Sequence, residues 1–300
     1  MKTLKFLSTV FIILLFTSSC VSKRKIKEMR DIIDEQQLVE NQIYNRISSL
    51  DEMRIDKNSQ GEIDDKSNVA IKKLIDREKS YVKNRTDSLN KMYKMLSGEK
   101  RIKRKDFKKI VSVISLANNE VKGVKTETVD FVENLLKQKT FIKFNSAAFF
   151  GPGGYKIPEE KMEEAKKVFS PIVDSLIVFV KKYPKIKLSS SIISSGYADG
   201  QGFGAGELVN QLTANLGKEI ATKEELNSEL SRLRAEEVSS ILLQIYKNKL
   251  QVNNEENKFQ TDFFALGKGE ELPNKKINDY LTDDDRRRIV VIYWNALPKE

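Results

Sequence analysis

The distribution of proline and glycine limits what each half of the chain can fold into. Residues 21–139 contain no proline, and glycine occurs there only at Gly61, Gly98 and Gly123. Because proline and glycine interrupt helices, their scarcity over such a long polar stretch predicts a helical region. From Thr140 onwards, apolar runs of strand length alternate with amphipathic stretches, which predicts a region of mixed α and β structure.

The helical region divides into three amphipathic segments. Apolar residues recur at heptad-like spacing over residues 26–50 and 71–96, and the pattern of residues 105–138 predicts a third helix. Turn-forming residues at 58–61 and 97–100 separate the segments. We therefore expect amphipathic, coiled-coil-like helices that either fold back as an antiparallel bundle or form a stalk.

Polar side chains interrupt both heptad seams, which weakens the case for one long coiled coil. They are Gln36 and Glu40 in the first seam and Glu78 and Arg85 in the second. One interpretation of the region is a plain spacer. The other is a module that binds a protein partner or self-associates through an exposed seam.

The first 19 residues have the features of a signal peptide. Lys2 and Lys5 form a basic start, and the apolar run of residues 6–16 is too short to span a bilayer. Cys20 is the only cysteine of the chain and follows the small residues Thr-Ser-Ser. Ordinary secretion with a free thiol is one interpretation. We favour the other, a loose lipobox in which Cys20 is acylated and becomes the mature N-terminus.

Lipidation of Cys20 predicts anchoring by acyl chains rather than by a membrane span. Val21 stands where an aspartate would signal inner-membrane retention in enteric bacteria, so we expect the periplasmic face of the outer membrane. A flagellar stator protein is disfavoured, because it would need a spanning helix with an intramembrane carboxylate and residues 6–16 contain no carboxylate.

Composition limits the partners and the chemistry. The formal net charge is +10, and it falls to about +8 when Lys2 and Lys5 are removed with the signal peptide. This surplus of positive charge fits a solvated surface or attraction to anionic lipids or wall polymers. The sequence contains no basic-aromatic motif of the kind that indicates binding of nucleic acid. There is no histidine and only one cysteine, so we expect neither a metal site nor a cofactor.

Two motifs in the second half of the chain offer a carboxylate and a guanidinium. Residues 196–200 read Gly-Tyr-Ala-Asp-Gly and place Asp199 after an apolar, serine-rich strand candidate. Residues 227–235 read N-x-x-L-S-x-x-R-A and include Asn227 and Arg234. Aspartate suits an ammonium group, and the planar guanidinium can grip a carboxylate through two parallel hydrogen bonds. The pair therefore suits a ligand that carries both groups.

These motifs resemble those of the C-terminal domain of outer membrane protein A and its relatives, the OmpA-like peptidoglycan-binding domains. Residues 267–273, which read G-x-G-x-x-x-P, and residues 287–292, which read R-R-I-V-V-I, are similar to two further features of that family. The resemblance covers about residues 141–297. It implies an α+β domain over residues 140–300, with the order β-α-β-α-β-β and a mixed sheet, after a helical region of residues 20–139.

The resemblance also implies a ligand and a site. Family members hold peptidoglycan through its peptide stem, chiefly through diaminopimelate. Asp199 would meet the ammonium group and Arg234 the carboxylate, with Asn227 as polar support. Three further positions are implied, namely Asn145 after the first strand and Arg287 or Arg288 in the pocket wall.

The same residues, taken one at a time, allow plainer roles. Asp199 could form a turn beside Gly200, Arg234 could be an exposed helical residue, and Asn227 could cap a helix or lie in its first turn. Asp199 and Arg234 also lie 35 residues apart, farther than the family pattern has them. The extra segment, residues 201–223, is glycine-rich, and we expect a loop or short helix near the pocket.

The chain is therefore expected to be a non-catalytic anchor between the outer membrane, through Cys20, and the cell wall, through Asp199 and Arg234. A wall-degrading glycosidase with two carboxylates is a weaker alternative, because no nucleophile motif or histidine supports it. The stronger alternative is a structural or scaffold lipoprotein whose helices bind a protein partner and whose OmpA-like domain no longer binds the wall.

Overall fold

The computed structural model describes residues 21–98, 102–121, 125–150, 154–252, 260–274 and 276–299. The predicted signal peptide and Cys20 lie outside the described residues. The chain divides into two compact units, which do not coincide with its two halves. One comprises the described residues of 1–52 and 73–133, and the other comprises residues 53–72 and the described residues of 134–300. Within the described part of the chain, no helix combines the length and apolarity that a bilayer span requires.

Four helices account for the described part of the predicted helical region. They are α1 (Lys23–Ser59), α2 (Asp65–Gly98), α3 (Arg104–Val121) and α4 (Lys125–Lys137). The predicted break at 58–61 is present as a turn in which Gly61 has a φ of 69°. The third predicted helix is described as two segments, α3 and α4. In the first unit, α1 and α2 run antiparallel, since Gln37 bonds to Asn90 and Asp51 pairs with Lys79.

Two of the four polar seam positions, both in the first unit, neutralise each other. Glu40 of α1 and Arg85 of α2 form an ion pair of 2.7 Å, with side chains only 2% and 13% exposed. Apolar side chains of both helices are buried in the same hairpin, including Ile33 of α1 and Leu96 of α2. Because an unpaired charge in such a place is costly, the pair favours one register of α1 against α2.

The second unit is built on a four-stranded sheet. Its strands are β1 (Phe141–Asn145), β2 (Leu188–Gly196), β3 (Thr261–Gly267) and β4 (Ile289–Pro298), in the spatial order β1-β4-β2-β3. The pair β2–β3 is parallel, and the other two pairs are antiparallel. The helices of this unit are a single turn α5 (Ser146–Phe149), then α6 (Glu159–Lys182), α7 (Glu207–Asn215) and α8 (Lys223–Val252). The predicted α+β class, element order and mixed sheet are confirmed.

Helices α6 and α8 cover one face of this sheet. Trp294 of β4 points towards them and contacts Phe179, with ring centroids 5.3 Å apart. Phe169, on the same side of α6, is fully buried. Pro171 lies inside α6, which continues through this residue as one helix. Because proline has no backbone N–H, the helix loses one backbone hydrogen bond at this residue. Burial of the flanking apolar side chains offsets that loss.

The opposite face of the sheet is covered by residues 53–72, the tip of the α1–α2 hairpin. Tyr293 and Asn295 alternate with Trp294 along β4 and so point to this face. The Tyr293 hydroxyl donates to the Gly61 carbonyl at 3.0 Å, and Asn295 Nδ2 donates to Ser67 Oγ at 2.7 Å. The central strands β2 and β4 are therefore covered on both faces, a feature that the sequence pattern did not predict.

Candidate functional site

Two glycines at strand ends allow α8 to lie directly on the sheet. Gly196 of β2 and Gly267 of β3 are register partners. A Cβ atom would lie 2.0 Å from the Ser231 carbonyl oxygen if added at Gly196, and 2.5 Å from that of Ser228 if added at Gly267. No side chain fits there, so glycine is required for this close approach. The approach brings the second motif, on α8, next to the loop that follows β2.

Ser231 of the second motif has a structural task. Its side chain is fully buried, and its hydroxyl accepts from the Gly269 backbone amide at 3.0 Å and donates to the Ser228 carbonyl at 2.8 Å. The serine thereby ties α8 to the turn after β3. The same turn holds the Asp199 loop, since the Ala198 amide donates to the Gly269 carbonyl at 2.7 Å.

Asp199 is buried, with 7% of its surface exposed, at the end of this pinned loop. Its Oδ1 accepts from the Gln201 amide at 3.3 Å. Its Oδ2 lies 2.5 Å from Nε of Arg288, which directly precedes β4. Within the described part of the chain, neither of these two atoms has a well-aligned hydrogen bond. The contact is therefore a charge–charge contact in which the N–H bond does not point at the oxygen.

Arg234 is equally buried, at 6% exposure, and lies close enough to Asp199 to interact electrostatically. Its Nε donates to the Gly154 carbonyl at 2.9 Å, and its guanidinium lies 5.8 Å from the centroid of the Phe150 ring. Burial lowers the pKa of Arg234 to about 10; Asp199 raises this pKa and Arg288 lowers it. The group is still cationic at pH 7. Its Nη1 and Nη2 atoms form no hydrogen bond among the described residues, so the face of the fork suited to a carboxylate is available.

Asn227 connects three parts of the site. It is almost fully buried, and its Nδ2 donates to Glu270 Oε1 at 2.8 Å, with a longer contact of 3.5 Å to the Gln201 carbonyl. Lys223 lies 3.3 Å from the same Glu270 carboxylate and donates to the Gly200 carbonyl at 3.2 Å. Asn227 therefore lies inside α8 as a polar support rather than as its cap. Glu270 was not singled out from the sequence; its only signal was its place in the G-x-G-x-x-x-P turn.

The remaining predicted residues lie at the edge of this arrangement. Arg287 is buried, and its Nη2 donates to the Glu270 carbonyl at 2.6 Å. Its side chain thus holds a loop, whereas the neighbouring Arg288 reaches Asp199. Asn145 ends β1 on the surface and is the register partner of Ile289. The structure therefore brings together Asp199, Arg234 and Asn227 and adds Arg288, which the sequence offered only as an alternative to Arg287.

The glycine-rich segment 201–223 begins at the site and packs back on α8. Its helix α7 buries Leu212 against Leu226 and Leu230. Tyr155 also contacts the segment, because its hydroxyl lies 3.3 Å from Gln211 Oε1. The segment therefore forms a short helix on the first turns of α8, and Gln201 is the residue that contacts both Asp199 and Asn227.

No protein-family model and no curated protein matches the chain. Solved structures similar to it include two of the periplasmic domain of Helicobacter pylori MotB and the cell wall anchor of the type VI secretion system of Pseudomonas aeruginosa. The MotB structures are 18% and 17% identical, with TM-scores of 0.29 and 0.28; they cover 52% and 53% of this chain and 74% and 81% of their own. The third is 15% identical, with a TM-score of 0.22, and covers 53% of this chain and 81% of its own. Similarities of this size do not bear on the function of the site.

Among the described residues, no group of three or more acidic, histidine or cysteine side chains is placed to hold a metal ion. The charged side chains of the site are the carboxylates of Asp199 and Glu270, the guanidiniums of Arg234, Arg287 and Arg288, and the ammonium group of Lys223. The arrangement is suited to recognition of small charged groups by complementary charge and hydrogen bonds.

Proposed function

We propose that the protein is a non-catalytic lipoprotein of the outer membrane that binds peptidoglycan and tethers the membrane to the cell wall. In this proposal, Asp199 receives the ammonium group and Arg234 the carboxylate of a diaminopimelate residue in the peptide stem. Asn227 supports the site, Asn145 and Arg287 lie at its margin, and Cys20 carries the lipid.

One observation carries the proposal. The two residues that the motifs single out are both more than nine-tenths buried, and Asp199 raises the pKa of Arg234 through its charge. An aspartate that only forms a surface turn and an arginine on an exposed helix face would be neither buried nor electrostatically coupled. Burying an arginine without a bidentate partner costs stability, and a ligand carboxylate would supply that partner.

A tether follows from having one attachment at each end. Acyl chains at Cys20 would hold the chain on the membrane, and the second unit would bind the wall. Attachment at one end raises the effective concentration of the other, so modest affinity for a single stem peptide is sufficient.

The test of the site is co-sedimentation of the mature protein with purified peptidoglycan sacculi of the diaminopimelate type. We expect the wild type to sediment with the sacculi. Asp199→Asn and Arg234→Ala should each lose at least tenfold in affinity, because each substitution removes the protein's partner of one charged group of the ligand. Arg232→Ala is the matched control, because the side chain of this nearby arginine of α8 is 40% exposed and pairs with Glu229 and Glu236 instead of Asp199. Equal sedimentation of wild type and both site variants would refute the assigned site.

Failure of the wild type to sediment would favour the scaffold alternative, in which the helices bind a protein partner. Metabolic labelling with palmitate tests the lipid separately. Label that is present in the wild type and lost in Cys20→Ser supports the anchor, and label that survives the substitution refutes it.

A further inference from the structure

We propose that Arg288 is an internal competitor for the ligand's ammonium group and so determines the specificity of the site. In the free protein it neutralises Asp199, and the ligand must displace it. This inference rests on the proposed function, because it concerns the same site.

The geometry of the Asp199–Arg288 contact indicates that Arg288 is a replaceable occupant. Asp199 Oδ2 and Arg288 Nε are 2.5 Å apart, yet the N–H bond is not aimed at the oxygen. A buried carboxylate oxygen is therefore held by charge alone, without the aligned hydrogen bond that usually accompanies burial. An ammonium group carries three donors and can orient one of them towards Oδ2, so it can supply what Arg288 does not.

Arg288 also has a second partner to which it can withdraw. Its Nη2 lies 2.8 Å from Asp285 Oδ1 and 3.3 Å from the Asp283 carbonyl, which accepts a hydrogen bond from it. The Asp285 side chain is 75% exposed, and the Arg288 side chain is 29% exposed. A small rotation of the end of the side chain would release Asp199 and leave the guanidinium paired, so displacement leaves no buried charge alone.

The competition favours ligands with two charges. Arg288 lies 2.5 Å from Asp199, whereas among the described residues Arg234 makes no ion pair of its own. A carboxylate is therefore attracted to Arg234 first. A ligand that has only an ammonium group must displace Arg288 without any contact to Arg234. A ligand that has both groups gains the Arg234 contact as well, which identifies the zwitterionic end of a diaminopimelate side chain as the preferred class.

The test compares two variants and two ligands by isothermal titration calorimetry of the mature protein. Arg288→Gln removes the competitor. Arg286→Gln is the matched control, since it makes the same charge change in the same segment but Arg286 pairs with Asp284 and Asp279 instead of Asp199. One ligand is a muramyl tripeptide ending in diaminopimelate, and the other is the same peptide with the diaminopimelate amine acetylated.

We expect Arg288→Gln to bind the free-amine peptide roughly twofold to fivefold more tightly than the wild type, the range given by partly exposed ion pairs. Binding of the acetylated peptide should stay unchanged, because that ligand does not displace Arg288. Arg286→Gln should behave as the wild type with both peptides. Binding by Arg288→Gln alone, with a silent wild type, would also support the inference.

Other outcomes overturn it. Weaker binding of the free-amine peptide by Arg288→Gln would make Arg288 a ligand contact, and an equal change for both peptides would make its role structural. Unchanged binding by Arg288→Gln, with loss in Asp199→Asn, would refute the competitor and leave the proposed function intact. If neither the wild type nor Arg288→Gln binds the free-amine peptide, both the competitor role of Arg288 and the proposed function are refuted. If Arg288→Gln does not fold, Arg288→Met replaces it, because it keeps the apolar stem and removes the charge. The same gain restricted to the free-amine peptide is then expected, and no such gain would refute the inference.

Discussion

The close approach of α8 to the sheet predicts that Gly196→Ala is strongly destabilising. The added Cβ would lie 2.0 Å from the Ser231 carbonyl oxygen, whereas ordinary contacts begin near 3.4 Å. Helix α8 would have to retreat by more than 1 Å, which would stretch the 3.0 Å bond between the Gly269 amide and Ser231. Overpacking costs about 1–3 kcal/mol and a lost buried hydrogen bond about 1 kcal/mol, so we expect a loss of about 2–4 kcal/mol.

Urea unfolding followed by circular dichroism measures this loss, with peptidoglycan co-sedimentation as the functional readout. Gly202→Ala is the control, because a Cβ at that glycine meets no atom within 4 Å. The control should unfold within about 0.5 kcal/mol of the wild type, as surface substitutions usually do. If Gly196→Ala is as stable as Gly202→Ala, α8 does not lie on the strand ends and the placement of Arg234 beside Asp199 is wrong.

Three further substitutions test other parts of the structure. Arg234→Met should abolish wall binding yet stabilise the protein by about 1–3 kcal/mol in urea unfolding, because it removes a buried charge that lacks a bidentate partner; destabilisation would contradict this. Glu40→Gln should cost about 3 kcal/mol by leaving Arg85 buried without its counter-charge, and the double variant Glu40→Leu/Arg85→Leu should recover most of that in the same assay. Burial raises the pKa of Tyr197 to about 12, so the folded state keeps the phenol neutral while the unfolded chain ionises near pH 10. The resulting stability is complete below pH 10 and is lost as the pH rises to about 12; Tyr197→Phe should flatten this fall in alkaline unfolding curves, and an unchanged slope would refute the assignment.

Much of the second unit could be predicted from sequence because its elements have distinct periodicities. The apolar, serine-rich strand candidate before Asp199 became β2, and residues 287–292 overlap the start of β4. The motif residues Asp199 and Arg234 were chosen for their chemistry, and the structure buries both and brings them close. Whether they bind a ligand stays a prediction.

The contacts that sequence did not predict depend on direction or on distance along the chain. Arg287 and Arg288 are adjacent and identical, and only the local backbone decides that one holds a loop carbonyl and the other meets Asp199. The polar residues around Gly61 look like any tip of a helical hairpin, so nothing local indicates that they contact β4, which is more than 200 residues away in the sequence. The pairing of Glu40 with Arg85 is similar, because each looked only like an interruption of its own seam.

The position of residues 53–72 on the sheet has a consequence for biosynthesis. Gly61 and its partner Tyr293 are 232 residues apart in sequence, so this contact can form only after almost the whole chain has been made. Closing so large a loop is slow relative to forming the α1–α2 hairpin. During that interval the face of the sheet that carries Ile193, Tyr197 and Val291 would be open. Apolar strands in that condition are prone to aggregate, so a chaperone that holds the unfinished chain is expected to raise its folding yield until residues 53–72 pack on β4.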